Sequence, residues 1–443
     1  MKRCFLPVPI LLTAALAVGL SVSGPAAATP GPVTTLAAPP SSPGTAPSTP
    51  LSPAATKISV PVTRAPAKVG AAPTSPDCTT AKSAAAAESA AAAAGKSTYT
   101  CITPTNAPAG LSVRTMAGTT APSSSNTTPD GLAPDPSPGS WPIYCDNAIG
   151  HTFYLDDRYN ECKVSYVELT VYEVPSGKTL GTGEVQFIEW DQVAHSRQSW
   201  VHWVDANLYT ATGVVTGGEQ IYTRLACSAG CSVTPSPADQ WQSLRLNQPL
   251  QGQYTITSAT NAVSYYAARL DTWYWNSAAP ASEPYLGLSQ VPDWRCDHAS
   301  YLNGGGGCVF YESGPVFNIN ESDPTVGKSA LFIYSNQYYL PDHWGAYYST
   351  FTGPPLHRLT DQTAINNNRN VSCAGFVKQN STDSCDEFPF ASTHEGAAIV
   401  GRARTGVGHV PLSDNTRAGT LLAAEYQNDR IIEGDNFWVI IGG

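Results

Sequence analysis

Ser384-Cys385-Asp386-Glu387-Phe388-Pro389-Phe390-Ala391-Ser392-Thr393-His394-Glu395-Gly396, followed further on by Ser413-Asp414-Asn415, is the stretch on which the reading of this chain turns. It gathers Asp386, Glu387 and Glu395, the imidazole of His394 and the carboxamide of Asn415 in a chain that is only 13% charged. A half-buried strand has no use for so many hard oxygen donors, whereas a divalent cation does. Phe388 to Phe390 reads as a short apolar strand and Thr393 to Gly396 as a turn. Ala398 to Thr405 reads as a second strand, with Arg402 and Arg404 on one face by the two-residue period. Asp414 or Asn415 suits the N-cap of a helix beginning at Thr416, along which Ala418, Leu422 and Tyr426 form one stripe. Asn436 to Ile441 closes as a strand. Polar residues at a strand end, in a turn and at a helix start can converge on one cation.

Phosphodiester hydrolysis needs that convergence. A hard cation neutralises phosphate oxygens and acidifies water, and a nearby carboxylate removes the proton. Magnesium takes only one or two protein oxygens, so a sparse donor set suffices. Arginines beside it hold phosphate in a fork.

The same residues carry a resemblance to the NucA/NucB-type deoxyribonucleases, which are small and secreted. Asp386-Glu387-Phe388-Pro389-Phe390-Ala391, Glu395-Gly396, Asp414-Asn415 and Ala418-Gly419 stand in register before a terminal apolar strand. The likeness runs from about Cys385 to Ile441, with a looser extension back to Trp294. It implies an α+β nuclease domain of ββα-metal type over residues 294–443 and an endonuclease that cuts DNA with little sequence preference. The cofactor implied is a divalent metal, magnesium or manganese. Asp386, Glu387 and Glu395 are then the catalytic carboxylates, with Asn415 and Glu395 at the metal. Arg402, Arg404 and Arg417 are the candidates for phosphate, and Thr416-Arg417 departs from the Arg-Gly of the bacillus-type enzymes. That leaves open which arginine meets the phosphate. The plainer alternatives are a solvated strand end for Asp386 and Glu387, a turn for Glu395 and a helix cap for Asn415. His394 and His409 are weaker candidates for a base.

Outward from this stretch the chain divides. Residues 1–28 read as a secretory signal peptide: Lys2 and Arg3, an apolar run from Phe5 to Val22, then Ala26-Ala27-Ala28. No later apolar run is long enough to span a bilayer, so the mature chain is expected to be secreted, with no membrane partner. Residues 29–140, rich in Pro, Ala, Ser and Thr, read as a disordered linker. Within it, Ser83 to Ala94 favours a helix, bracketed by Cys78 and Cys101.

Residues 141–290 alternate in the β manner at 164–172, 183–190, 199–209 and 252–275 and read as an all-β, sandwich-like domain. Trp200, Trp203, Trp273, Tyr274 and Trp275 fill its core or line a cell-wall or carbohydrate surface. His195 and His202 have no carboxylate partner in this reading. In residues 294–443, Gly304 to Gly307 reads as a hairpin tip, 327–340 as helical or mixed, and 354–358 as a loop.

Besides Cys4, ten cysteines remain (Cys78, Cys101, Cys145, Cys162, Cys227, Cys231, Cys296, Cys308, Cys373 and Cys385), and an even number in an exported chain points to disulfides. The simplest pairing is sequential. A formal charge of −10 counts against a protein that coats nucleic acid, though not against an enzyme that must release product. The alternatives to a DNA-cutting enzyme are an extracellular polysaccharide-binding β-protein with an inactive nuclease-like domain, or an exported nuclease toxin with an immunity protein as partner.

Overall fold

The computed structural model describes residues 58–59, 68–69, 78–91, 97–107, 141–174, 176–216, 219–235, 240–280, 284–290 and 292–442. The expected signal peptide and most of the expected linker lie outside these. All of the described residues belong to one compact unit, Pro50–Gly443. Strands dominate it and helices are few.

Two pieces of the linker region are ordered elements: the expected helix between Cys78 and Cys101, and a strand that was not expected. Helix α1 (Cys78–Ala91) and strand β1 (Ser97–Thr105) are joined by the Cys78–Cys101 disulfide. Tyr99 and Cys101 are buried on alternate positions of β1. The composition of the segment as a whole hid this short β-forming run. Five disulfides follow the sequential pairing: 78–101, 145–162, 227–231, 296–308 and 373–385.

Residues rich in Val, Tyr, Thr and Trp then form β2 (Asn160–Val174), β3 (Thr179–Gln192), β4 (Ser199–Ala211), β5 (Glu219–Cys227), β6 (Ser232–Pro235), β7 (Leu250–Thr257), β8 (Ala268–Asn276) and β9 (Tyr285–Gln290). One sheet runs β1-β2-β3-β4-β7-β6 and a second runs β9-β8-β5 to a short strand at Gln242–Ser243. Their inner faces share a core in which Leu169, Phe187 and Val204 meet Ile221, Leu225 and Leu270. Trp200, Trp203 and Tyr274 are buried, so the core reading holds for them. His202 corrects the sequence reading: its imidazole is fully buried with Asp191 Oδ2 2.9 Å from Nδ1. The partner sits on the neighbouring strand, which linear spacing does not reveal.

The hairpin β10 (Trp294–Asp297) and β11 (Gly307–Phe310) packs into this same core through Trp294, Cys296 and Phe310. A second core begins with β12 (Val316–Asn320) and takes in α2 (Gly327–Tyr339), β13 (Leu356–His357), α3 (Gln362–Ser372), β14 (Asp383–Phe388), β15 (Gly406–Pro411), α4 (Leu412–Asn428) and β16 (Asn436–Gly442). β12 pairs parallel with β16, and β14 pairs antiparallel with β15. Ile333 and Tyr334 of α2 meet Ala418, Leu422 and Tyr426 of α4 within it.

Here three local readings are corrected. The second strand is not Ala398–Thr405: Ala397–Val400 is a short helix and Arg402–Arg404 a 3₁₀ turn, and the strand begins at Gly406. Gly401, at φ +91°, interrupts the extended run. Helix α4 begins at Leu412 rather than Thr416, so Asn415 lies in its first turn and is not its cap. Residues 354–358, expected as a loop, contain β13.

Candidate active site

β14 is the element that positions the chemistry, because its side chains alternate between two neighbours. Asp386 faces α2 and Glu387 faces α3. Asp386 is 9% exposed; its Oδ1 accepts the Glu387 amide at 3.0 Å and its Oδ2 accepts Ser329 Oγ at 3.3 Å. Burial, reinforced by the adjacent Glu387 charge, pushes its carboxyl up to about 7 against the pull of those two donors. Burial also raises Glu387, opposed by Arg369. Arg369 Nε stands 3.8 Å from Glu387 Oε1. The Cys373–Cys385 disulfide holds the end of α3 against β14. It also removes Cys373 and Cys385 as cation ligands, although their sulfurs lie close to Glu387.

The Asp414-Asn415 pair stitches the first turn of α4 to two other elements. Asp414 Oδ2 accepts the Lys328 amide at the start of α2 (3.1 Å). Asn415 Nδ2 donates to Cys385 O (3.0 Å) and Ser384 Oγ (3.2 Å). With its amide hydrogens committed to β14, Asn415 offers Oδ1 as its ligand-capable atom. Arg358, Arg369, Asp386, Glu387, Asn415 and Tyr426 all line one cleft of about 480 Å³ between α3, β14 and α4.

Other candidates lie elsewhere. Glu395 is buried and is not part of the cleft lining; its carboxylate accepts the His357 amide (2.9 Å) and meets His357 Nδ1 (2.8 Å). His394 pairs with Glu433 and His409 with Asp383, each at 2.7 Å. Arg404 forks onto Asp342 (2.8 and 2.7 Å) and lies over Trp344. Arg402 is exposed and reaches Ala374 O, and Arg417 is exposed on α4. None of these three arginines lines the cleft.

The two arginines that do line it were not among the sequence candidates. Arg358 lies 4.4 Å from the Tyr426 ring centroid and 5.0 Å from that of Tyr301, donates to Ile431 O, and is pulled below the usual arginine range by burial. The helix that carries Arg369 had a legible signal, though the arginine's place in the cleft did not: Asp361 accepts the Ala364 amide as the N-cap of α3, and Ile365, Asn368 and Ser372 mark its buried face.

Does the donor set suit a divalent cation? Asp386, buried, and Glu387, partly buried, line the cleft together with Asn415, and Arg369 supplies one counter-charge. The upward push on both carboxyls is what a hard cation would relieve. The residues fit.

A family model for Deoxyribonuclease NucA/NucB matches residues 353–440, a span that contains Arg358, Arg369, Asp386, Glu387 and Asn415. The C-terminal region is thus consistent with a NucA/NucB-type deoxyribonuclease domain, and the match supports a nuclease role. No curated protein and no solved structure is significantly similar to the chain.

Proposed function

We propose that this protein is a secreted, divalent-metal-dependent endonuclease that hydrolyses DNA with little sequence preference, with its centre at Asp386, Glu387 and Asn415. The observation that carries the reading is a pair of adjacent carboxylates lining a cleft that Arg369 also lines, its Nε 3.8 Å from Glu387 Oε1. The order β14-β15-α4, with the cleft at the first turn of α4, supports a ββα-metal-like scaffold.

Glu387 and the Asn415 carbonyl would hold magnesium or manganese; once bound, the ion supplies charge neutralisation at phosphate and acidifies water. Asp386, poised near neutrality, accepts the proton of the attacking water. Ser329 and the Glu387 amide keep its carboxylate oriented. Arg369 receives a phosphate oxygen at the cleft mouth. Arg358 is fixed over Tyr426 and closes the far wall. Glu395 serves the fold, tying β13 to the turn before Ala397. Cations aimed at phosphates rather than base edges favour sequence-tolerant cutting. Five disulfides fit export, and among the described residues no helix is long and apolar enough to cross a membrane.

A second reading, carbohydrate contact by the β-sheets, is favoured by one feature. Tyr222, Trp241, Trp273 and Tyr285 form a chain of rings, of which Trp241 is 40% exposed. The deciding experiment is incubation of the oxidised full-length protein with supercoiled plasmid, with Mg²⁺ and with EDTA. Nicking in Mg²⁺ that EDTA abolishes supports the nuclease; intact plasmid in every divalent metal tried leaves the binding reading.

A further inference from the structure

Far along the chain from the nuclease cleft, one row of the large sheet carries charge where its neighbours carry hydrocarbon. The register places Glu161 of β2 opposite Asp191 of β3, and Asp191 opposite His202 of β4. By the two-residue alternation Glu189 lies on the same face as Asp191. Around the row the inner core continues with Phe187, Val193 and Val204. Glu161, Glu189, Asp191 and His202 are each no more than 1% exposed. Three ionised carboxylates enclosed in this way carry a severe desolvation cost unless opposite charge is supplied.

The imidazole alone does not supply it. Each ring nitrogen of His202 faces a carboxylate: Nδ1 lies 2.9 Å from Asp191 Oδ2, and Nε2 lies 3.6 Å from Glu189 Oε2. A neutral imidazole has one N–H, so one nitrogen directs a lone pair at an anion. An imidazolium satisfies both nitrogens but, with Lys163 counted, still leaves one negative charge in the row. In addition, Glu161 Oε2 and His202 Nε2 have no hydrogen-bond partner among the described residues. One ligand atom each from Glu161, Asp191 and His202 falls within 4.8 Å of the others. Trp200 Nε1 donates to Asp191 Oδ1 at 3.1 Å, which fixes the central carboxylate.

We propose that Glu161, Asp191 and His202 Nδ1 bind a divalent transition-metal ion, of the class of Zn²⁺ or Mn²⁺, in a second metal site separate from the nuclease cleft. Glu189 then accepts the remaining N–H at Nε2, the carboxylate–histidine arrangement that holds a ligating ring in one tautomer. The ion also closes the charge: with Lys163, whose charge acts on Glu161, it balances the three carboxylates. An imidazole among the ligands disfavours Mg²⁺ and Ca²⁺, which prefer all-oxygen shells. Because the ligands come from three adjacent strands, the ion is a brace across β2, β3 and β4.

The test uses full-length protein carrying Asp386→Asn and Glu387→Gln, so that the nuclease cleft does not compete. After stripping with EDTA it is titrated with Zn²⁺ and, separately, with Co²⁺. The expected result is one equivalent of Zn²⁺ bound with a rise in Tm, and Co²⁺ absorption bands with one strongly shifted exchangeable imidazole N–H proton. Asp191→Asn and His202→Gln, added singly, should abolish both. If these variants fail to fold, the Co²⁺-loaded parent decides alone, since a shifted imidazole signal requires a histidine ligand. Absence of bound Zn²⁺ at excess, or Co²⁺ binding without an imidazole signal, overturns the proposal and leaves a proton shared between Glu161 and Asp191 as the source of neutrality.

Discussion

Replacing Asp386 with Asn should make the metal-free protein more stable at alkaline pH. The native carboxyl is raised from 3.8 to about 7, first by burial and then by Glu387. Between those values the folded state keeps a proton that the unfolded chain gives up. Stability contributed at this position is therefore complete below the unfolded value and is lost as pH rises through the folded one. A shift of roughly three units at about 1.36 kcal/mol each bounds the effect near 4 kcal/mol. Asn keeps an oxygen to accept the Glu387 amide, and its Nδ2 can donate to Ser329 Oγ, but it has no carboxyl proton to lose. Urea unfolding in EDTA, with disulfides intact, should give matching stabilities for the two proteins at pH 3.5. At pH 8 the variant should be ahead by up to ~4 kcal/mol. Adding Mg²⁺ at pH 8 should narrow the gap, because the cation stabilises only the ionised wild-type site fully. Parallel pH profiles in EDTA would refute the enclosure of Asp386.

Three further outcomes follow from the site. Arg369→Ala should raise KM for DNA and reduce the salt slope by about one ion, whereas Arg402→Ala with Arg404→Ala should leave the slope unchanged; a salt slope that responds only to the latter pair would move the phosphate contact. Glu395→Gln bears on His357, whose imidazole is raised above 6.5 chiefly by its hydrogen bond to Glu395. That pair stabilises fully below pH 6.5 and fades as pH rises through the folded value, so the variant should lose the decline seen in wild type by thermal melts, with kcat of the folded protein little changed. Cys373→Ser with Cys385→Ser opens a link of 12 residues' separation. The loss should be about 3 kcal/mol, with a rise in KM for DNA as Arg369 separates from Glu387; a wild-type KM in the reduced enzyme would contradict the role given to this link.

Sequence and structure agree where function depends on local pattern and diverge where it depends on pairing. Asp386, Glu387 and Asn415 were legible together because strand and helix periods place them at element ends, and the cleft unites them. Glu395 seemed equivalent by spacing, yet its carboxylate is held by His357, from a strand 38 residues earlier. Arg402 and Arg404 looked like a strand face because Gly401 was not read as a break. Arg369 came to the site through the Cys373–Cys385 bond and the short helix before it, a neighbour relation that no linear motif contains. His202 shows the same limit: its carboxylates are cross-strand partners, visible only once β2, β3 and β4 are in register. The edge strand β1 was concealed by the composition around it.

The most direct test of the account is the single-turnover rate at which folded, oxidised protein nicks supercoiled plasmid in Mg²⁺, before and after Asp386→Asn. The site described here predicts a loss of about 10²–10⁴-fold with an unchanged circular dichroism spectrum. A variant that nicks at the wild-type rate contradicts the assignment of this cleft as the catalytic centre.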